Sequence, residues 1–185
     1  DHFDQTKVLD DTSNLLSLRK VEQNIVLFAG RMNGKGLEIL TKAIHESNSK
    51  WLLVLAGEID LAHYCQANLR SEQFIYLGRL QRKELLHLMH EVDLVSVISQ
   101  YYDPYPTIAL EAMKHGSVFF TTNVSGVSSL LNFEEARFLI SQIGEIPNLS
   151  KIYLESQQKK FMLQAISQSI LSPKMVLKYQ YLPFL

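Results

Sequence analysis

The chain has 185 residues, of which 46% are hydrophobic and 20% are charged, and its formal net charge is −1. This length accommodates one domain with a buried core, and the ordinary composition excludes global disorder. The near-neutral charge, with basic residues spread along the chain, excludes nucleic acid as a main partner. The single cysteine, Cys65, cannot form an internal disulfide, so we interpret it as a small buried hydrophobe.

Residues 1–23 show no clear hydrophobic period and are predicted to be a linker or a connection from a preceding domain. From Asn24 onward, short apolar runs alternate with segments of helical period. The predicted strands are NIVLFAG (24–30), WLLVLAG (51–57), FIYLG (74–78), DLVSVIS (93–99), SVFFTT (117–122) and, as a short sixth strand, RFLI (137–140). Continuous apolarity is typical of strands that are buried on both faces of a parallel sheet. The sequence therefore predicts an α/β fold with a doubly wound, mostly parallel Rossmann-like sheet.

This predicted domain extends over residues 24–171, because the helical pattern continues beyond Pro147. Residues 172–185 are predicted to form a helical tail, with Ser172 as the N-cap and Pro173 at the first helical position. No apolar run approaches the roughly 18 residues that a membrane-spanning helix needs.

A glycine-rich loop, GRMNGKG (30–36), follows the first predicted strand. Its glycines let the backbone approach a ligand closely, and Arg31 and Lys35 place two cations near the amino end of the next helix, which itself favours anions. The loop predicts a phosphate or diphosphate site, and a plain turn with solvated cations explains it equally well. The P-loop pattern and the GxGxxG pattern are both absent from it.

A second loop, YYDPYP (101–106), leads into a predicted helix. Asp103 on the loop and Glu111 on the helix are eight residues apart and can face one crevice, where carboxylates accept hydrogen bonds from sugar hydroxyls. The tyrosines of this loop are placed to wall a sugar site. Taken alone, an acid near a helix start more often complements the helix dipole.

A third loop, TTNVSGVSS (121–129), follows the fifth predicted strand, and we interpret it either as an oxygen-binding turn or, preferably, as a capped helix entry. The six histidines share no metal-ligand spacing with cysteine or carboxylates, so no metal site is expected. Trp51, Phe74 and Phe119 are predicted to be core residues.

The order of these pieces carries a resemblance to a known family. FAGRMNGKGLEIL, WLLVLAGEID, FIYLGRLQRKEL and VDLVSVISQYYDPYPTIALEAMKHGSVFFTTNVSGVSSLL resemble the C-terminal donor domain of retaining GT-B glycosyltransferases of the group 1, glycogen-synthase-like family. The resemblance covers residues 24–131. It implies one half of a GT-B fold that binds a nucleotide-diphosphate sugar as donor substrate, with no metal or other cofactor.

The resemblance also implies transfer of the sugar with retention at the anomeric carbon. The acceptor, a glycan, a lipid-linked molecule or a protein, would be bound by an N-terminal domain outside this chain. A cytoplasmic location is expected, with peripheral association of the full protein at the inner face of a membrane.

Roles for single residues follow from the resemblance by position. It implies that Arg31 and Lys35 hold the diphosphate, that Asp103 binds the donor-sugar hydroxyls, and that Glu111 binds the ribose. Of these four residues, the implied catalytic ones are Arg31, Lys35 and Asp103. The remaining implied donor contacts come from Gly30, from the main chain around Arg79 and Leu80 at the base, and from the amides of Tyr105, Thr107 and Ile108 at the sugar or phosphates.

The sequence departs from the family pattern at several of these positions. The first carboxylate is Asp103 rather than Glu, which shortens its reach by one methylene. Pro106 replaces a frequent glycine and removes one amide donor. The loop 30–36 is one residue shorter than usual, Ser125-Gly126 stands where a Gly-Gly pair is common, and Ser129 stands where an acidic residue is usual.

Three other functions stay open at this stage. The chain could be a non-catalytic subunit with a degenerate donor site, a dehydrogenase-like dinucleotide-binding domain, or a scaffold. The second lacks the expected glycine fingerprint. The sequence leaves open whether the base is uracil, guanine or adenine, and which sugar and acceptor are used.

Overall fold

The computed structural model describes residues 23–48, 50–104, 106–131 and 134–170. Apart from Gln23, the predicted linker 1–23 lies outside these residues, as does the predicted tail 172–185. The strands are β1 (Asn24–Gly30), β2 (Trp51–Gly57), β3 (Phe74–Tyr76), β4 (Leu94–Val97), β5 (Phe119–Thr122) and β6 (Ile140–Ser141). The helices are α1 (Leu37–Glu46), α2 (Ile59–Asn68), α3 (Arg82–Glu91), α4 (Thr107–Lys114), α5 (Leu149–Gln158) and α6 (Lys160–Ile170).

Within the described residues the strands form one parallel sheet in the order β3-β2-β1-β4-β5-β6. Strand β1 lies at its centre, because Val26 pairs with Leu53 of β2 on one side and with Leu94 of β4 on the other. All three side chains are fully buried. Helix α1 packs against α2, whereas α4 packs against α3 and α6. The predicted α/β, doubly wound, parallel sheet is confirmed.

Three predicted strands are shorter in the structure than in the sequence pattern. The third ends at Tyr76, the fourth runs only from Leu94 to Val97, and the fifth begins at Phe119. Asp93 precedes β4 and bonds to Ile25 twice, because its amide donates to the Ile25 carbonyl at 3.0 Å and its carboxylate accepts from the Ile25 amide at 2.7 Å. The apolar pattern therefore continues beyond the strand ends into flanking residues that still form single backbone bonds to the sheet, such as Leu77 to Leu55 and Val95 to Val118.

The predicted sixth strand, RFLI (137–140), is wrong for most of its length. A 3₁₀ helix, Glu134–Leu139, occupies this segment, and β6 contains only Ile140 and Ser141. Ala136 and Leu139 are buried three residues apart. That spacing suits a 3₁₀ helix, in which residues i and i+3 lie on the same side, so the apolar residues meet the core without a strand.

The predicted core residues lie where the sequence analysis placed them. Cys65 is fully buried on α2, and burial raises the pKa of its thiol to about 12, which keeps it protonated and unreactive at neutral pH. Trp51 and Phe119 are buried, and Phe74 packs partly buried against the core. Of the helices described, none has the length and apolarity to cross a membrane.

A glycine joins the carboxyl end of the sheet to α1. Gly36 precedes the helix with φ +78°, and a Cβ at this position would meet the carbonyl oxygen of Ile98 at the end of β4. Gly116 has a similar φ of +73°, but a Cβ there would meet open space. Of these two glycines, Gly36 alone combines a left-handed backbone with a close approach to another segment.

We expect Gly36→Ala to lower the free energy of unfolding more than Gly116→Ala does. Both alanines incur the left-handed backbone cost of about 1–2 kcal/mol, and only the first adds a steric clash with the backbone of Ile98. Urea denaturation of the two variants measures the difference. Equal losses of stability would contradict the close approach.

Candidate functional site

A cleft of about 580 Å³ opens at the carboxyl ends of β1, β2 and β4. The strand order reverses between β1 and β4, so the connections that follow these strands leave toward opposite faces of the sheet and a crevice remains between them. The predicted site residues that line the cleft are Gly30, Arg31, Lys35, Arg79, Thr107, Ile108, Asp103 and Glu111. The structure thus brings them to one place, whereas Tyr105 lies outside the described residues.

Lys35 and Asp103 form an ion pair inside the cleft, with 2.5 Å between Nζ and Oδ2. The hydroxyl of Ser99 also lies 3.4 Å from Oδ2. The two loops are held together by a backbone bond, because the amide of Gln100 donates to the carbonyl of Gly34 at 2.7 Å. The pair therefore depends on the contact between the loops after β1 and β4.

The surroundings of Lys35 favour its charged form. Burial lowers its pKa, but the hydrogen bond and the negative charge of Asp103, with a smaller contribution from Tyr101, outweigh burial and raise the pKa above its ordinary value. The Nζ atom lies 5.2 Å from the centre of the Tyr101 ring. Because the folded pKa is raised, this pair stabilises the fold below the ordinary lysine pKa, and the contribution is lost as the pH rises through the folded value.

Glu111 is bound by a cation that the sequence analysis did not identify. The guanidinium of Arg82 lies 2.9 Å from Oε1 of Glu111. Arg82 is the first residue of α3, and its backbone is fixed by the capping box of Gln81 and Glu84. Helix α4 has no acid in its first turn, so simple dipole complementation does not explain Glu111.

A third charge cluster lies at the rim of the cleft. Glu58 follows β2 directly and contacts Arg31 at 3.7 Å and Arg79 at 3.3 Å. Both arginine side chains are largely exposed. The sequence did contain a signal for Glu58, since it occupies the same place after its strand as Arg31 does after β1. It contained none for Arg82, because nothing in the pattern relates that residue to Glu111.

The amino end of α4 faces the same cleft. The first amides of an α-helix lack partners within the helix, and Thr107 and Ile108 are the first two residues of α4. The preceding residue, Pro106, accepts a hydrogen bond from the amide of Ala109 at 3.0 Å. This end of the helix is therefore suited to an anion or to a ligand oxygen.

The third loop supports the second loop from behind, and residues 121–129 do not belong to the lining of the cleft. Ser125 forms a backbone bridge with Asp103, and the amide of Gly126 donates to the Asp103 carbonyl at 2.8 Å. Thr122 donates its hydroxyl to the carbonyl of Ser99 at 2.6 Å. A 3₁₀ helix, Gly126–Leu131, begins in this segment, which agrees with the preferred interpretation of a helix entry, although the buried Ser125 hydroxyl forms no capping bond within the described residues.

In the part of the chain that the structure describes, no three His, Cys, Asp or Glu side chains come together as a metal site would require. The rings of His90 and His115 do approach each other, with 3.3 Å between their nitrogens. That the reaction needs no metal stays a prediction.

The chain is similar in sequence to glycosyltransferases. The model of the family described as glycosyl transferases group 1 matches residues 16–158. An uncharacterized glycosyltransferase of Methanocaldococcus jannaschii is 31% identical over 122 residues, which are 61% of this chain and 30% of that protein. Glycogen synthase of Mycobacterium tuberculosis is 37% identical over 113 residues, which are 55% of this chain and 26% of the synthase.

The fold is similar to that of a solved structure from Anabaena. The crystal structure of HepE in complex with UDP-glucose has a TM-score of 0.71 at 22% identity, and the match covers 98% of this chain and 54% of HepE. This likeness confirms the Rossmann-like fold. The chain spans about half the length of HepE and 30% or less of the two sequence relatives.

We expect Asp103→Asn to lower the pKa of Lys35 relative to the wild-type chain. The substitution removes the negative charge that opposes the effect of burial. NMR titration of the Lys35 side-chain carbon next to the amine measures this pKa, and Glu58→Gln serves as a control that removes a carboxylate not paired with Lys35. An unchanged pKa in Asp103→Asn would show that the ion pair does not form in solution.

Proposed function

The chain belongs to the glycosyl transferases group 1 family, and from this premise we propose that it forms the donor-binding half of an enzyme that transfers a sugar from a nucleotide-diphosphate donor. The observation that carries the proposal is the single cleft that contains Arg31 and Lys35 together with Asp103 and Glu111. Phosphates require cations, and the hydroxyls of a sugar and a ribose require acceptors. The UDP-glucose in the similarly folded HepE structure supports this ligand class.

In the proposed complex, Arg31 and Lys35 bind the diphosphate. Negative charge grows on the diphosphate as the sugar departs, so cations held in place beforehand stabilise the transition state. The ion pair with Asp103 supports this role because it holds the amine of Lys35 inside the cleft. The amides of Thr107 and Ile108, at the positive end of α4, supply further donors to the phosphates or the sugar, and we assign a similar contact to Tyr105.

The carboxylates of Asp103 and Glu111 bind different parts of the donor. Asp103 orients the sugar, since its second oxygen can accept from a hydroxyl while Oδ2 contacts Lys35. Glu111 binds the ribose hydroxyls. Gly30 allows close approach of the donor to the end of β1, and the main chain at Arg79 and Leu80 borders the base.

We further propose that the reaction retains the anomeric configuration and needs no metal, so that this half of the enzyme acts by positioning and electrostatics. The acceptor would be a glycan, a lipid-linked molecule or a protein, bound by a domain outside this chain. Cytoplasmic transfer at a membrane face, by a peripherally associated protein, is consistent with this proposal.

One observation favours a second candidate, a non-catalytic subunit with a degenerate donor site. Both ligand carboxylates are already paired with cations, Asp103 with Lys35 and Glu111 with Arg82, so the charges of these two carboxylates are neutralised without a ligand. Nucleotide binding separates the two candidates, because a degenerate site would not bind the donor.

We expect Arg31→Ala and Lys35→Ala to weaken the binding of a nucleoside diphosphate by about 10- to 100-fold each. Charge-assisted hydrogen bonds contribute about 1.5–3 kcal/mol, which corresponds to this range. A thermal-shift screen of UDP, GDP and ADP selects the tightest ligand, since binding to the folded state raises stability, and calorimetry then compares the variants. Lys42→Ala, which removes an exposed lysine of α1 outside the cleft, is the matched control.

The results divide the candidates clearly. If none of the three nucleotides binds the wild-type chain, the degenerate site is correct and the donor assignment is wrong. If a nucleotide binds and the Arg31 and Lys35 variants match Lys42→Ala, the cleft holds the nucleotide but these two residues do not hold its diphosphate.

Retention predicts that the sugar keeps the anomeric configuration that it has in the donor. Donors hydrolyse slowly on transferases when water replaces the acceptor, so the anomer that is released first reports the stereochemistry. Proton NMR of the anomeric signal, recorded before mutarotation with the complete protein that contains this chain, provides the measurement. Release of the opposite anomer would establish inversion instead.

A further inference from the structure

We propose that Arg82 is a positioning residue that aims Glu111 at the ribose, so that the cleft prefers ribonucleotides to 2′-deoxyribonucleotides. The inference rests on the proposed function and adds to it a residue, Arg82, that does not contact the donor and acts through Glu111. It starts from the ion pair between Arg82 and Glu111, which joins the amino end of α3 to the middle of α4.

The pair is asymmetric in a way that fits positioning. The side chain of Glu111 is 18% exposed, whereas that of Arg82 is 78% exposed. Glu111 therefore lies within the cleft wall, and Arg82 reaches it from the rim. An exposed arginine contributes little to the stability of the fold through such a pair, so its removal should leave the domain folded.

The ion pair biases the orientation of the Glu111 carboxylate. The last torsion of a glutamate side chain is broad, and a carboxylate without a fixed partner samples many orientations about it. The contact from Arg82 is made to Oε1, and an ion pair at this oxygen favours one orientation of the carboxylate over the others. The second oxygen, Oε2, then has a defined direction in which to accept hydrogen bonds from the vicinal hydroxyls of a ribose.

Arg82 can act in this way because its own backbone is fixed. It is the first residue of α3, after Gln81, whose side chain accepts from the backbone of Glu84 while the Glu84 carboxylate accepts from the Gln81 amide at 2.7 Å. Helices α3 and α4 pack against each other, and Leu85 and Ile108 from these helices both line the cleft. The guanidinium is thus carried by a fixed backbone next to the cleft wall that contains Glu111.

The test measures the preference for a ribose over a deoxyribose. Calorimetry compares the tightest ligand among UDP, GDP and ADP with its 2′-deoxy counterpart. For the wild-type chain we expect a preference of about tenfold, the value of one charge-assisted hydrogen bond. Arg82→Gln should reduce this preference at least about threefold, and Arg82→Lys, which keeps a cation, should restore part of it.

The matched control is Lys83→Gln, which removes the same charge from the adjacent exposed residue at the same helix end. It should leave the preference unchanged, so a general loss of positive charge does not explain the result. Glu111→Gln should also reduce the ribose preference. The double variant Arg82→Gln/Glu111→Gln should show the same preference as Glu111→Gln alone. This non-additivity identifies action through Glu111.

Each other outcome overturns a distinct statement. If Arg82→Gln weakens both nucleotides equally, or if the two substitutions are additive, Arg82 does not position Glu111 and the inference is wrong while the proposed function stands. If the wild-type chain binds the nucleotide and its 2′-deoxy counterpart equally well, Glu111 does not bind the ribose, and the inference is wrong as well. If the wild-type chain binds none of the nucleotides, the proposed function fails as well.

Discussion

The reversal of strand order between β1 and β4 is the constraint on which the site depends. Val26 of β1 is paired on both sides, so this strand lies at the centre of the sheet and both neighbouring connections begin beside it. Parallel strands end at the same edge, and the loops after β1 and β4 must diverge to reach their helices. The cleft is the space between them, and the residues that follow those strands form much of its lining. The fold therefore determines the place of the site, and the loops determine its chemistry.

Charge pairing is the main property of that cleft. Four cations and three carboxylates meet there in three groups: Lys35 with Asp103, Arg82 with Glu111, and Arg31 and Arg79 with Glu58. Pairs that are partly exposed to water contribute little net stability, so these pairs bear on the order of the side chains more than on the stability of the fold. A cleft with one excess positive charge suits a polyphosphate, while its carboxylates remain close enough to receive hydroxyls. The pairs keep these side chains ordered before the ligand arrives.

The sequence predicted those features that depend on local pattern. Strands buried on both faces must be apolar at successive positions, so β1 and β2 were recognised over their whole length. Loops after strands were recognised as site candidates because the architecture itself places ligands there. The side-chain ion pairs could not be predicted from the sequence. Lys35 and Asp103 are 68 positions apart, and no motif relates Arg82 to Glu111. The error at 137–139 has a similar cause, because an apolar segment packs on the core equally well as a strand or as a 3₁₀ helix.

Two departures from the family pattern meet at a single contact. The resemblance implies a shorter loop before Lys35 and a shorter acid at Asp103, and each alone would change the distance between cation and carboxylate. In the structure the two side chains form a direct ion pair, with the loops joined by the bond from the Gln100 amide to the Gly34 carbonyl. The third loop holds Asp103 from the other side through Ser125 and Gly126. The departures are thus parts of one arrangement, in which the shorter acid meets the lysine that the shorter loop presents, and they do not by themselves indicate a lost site.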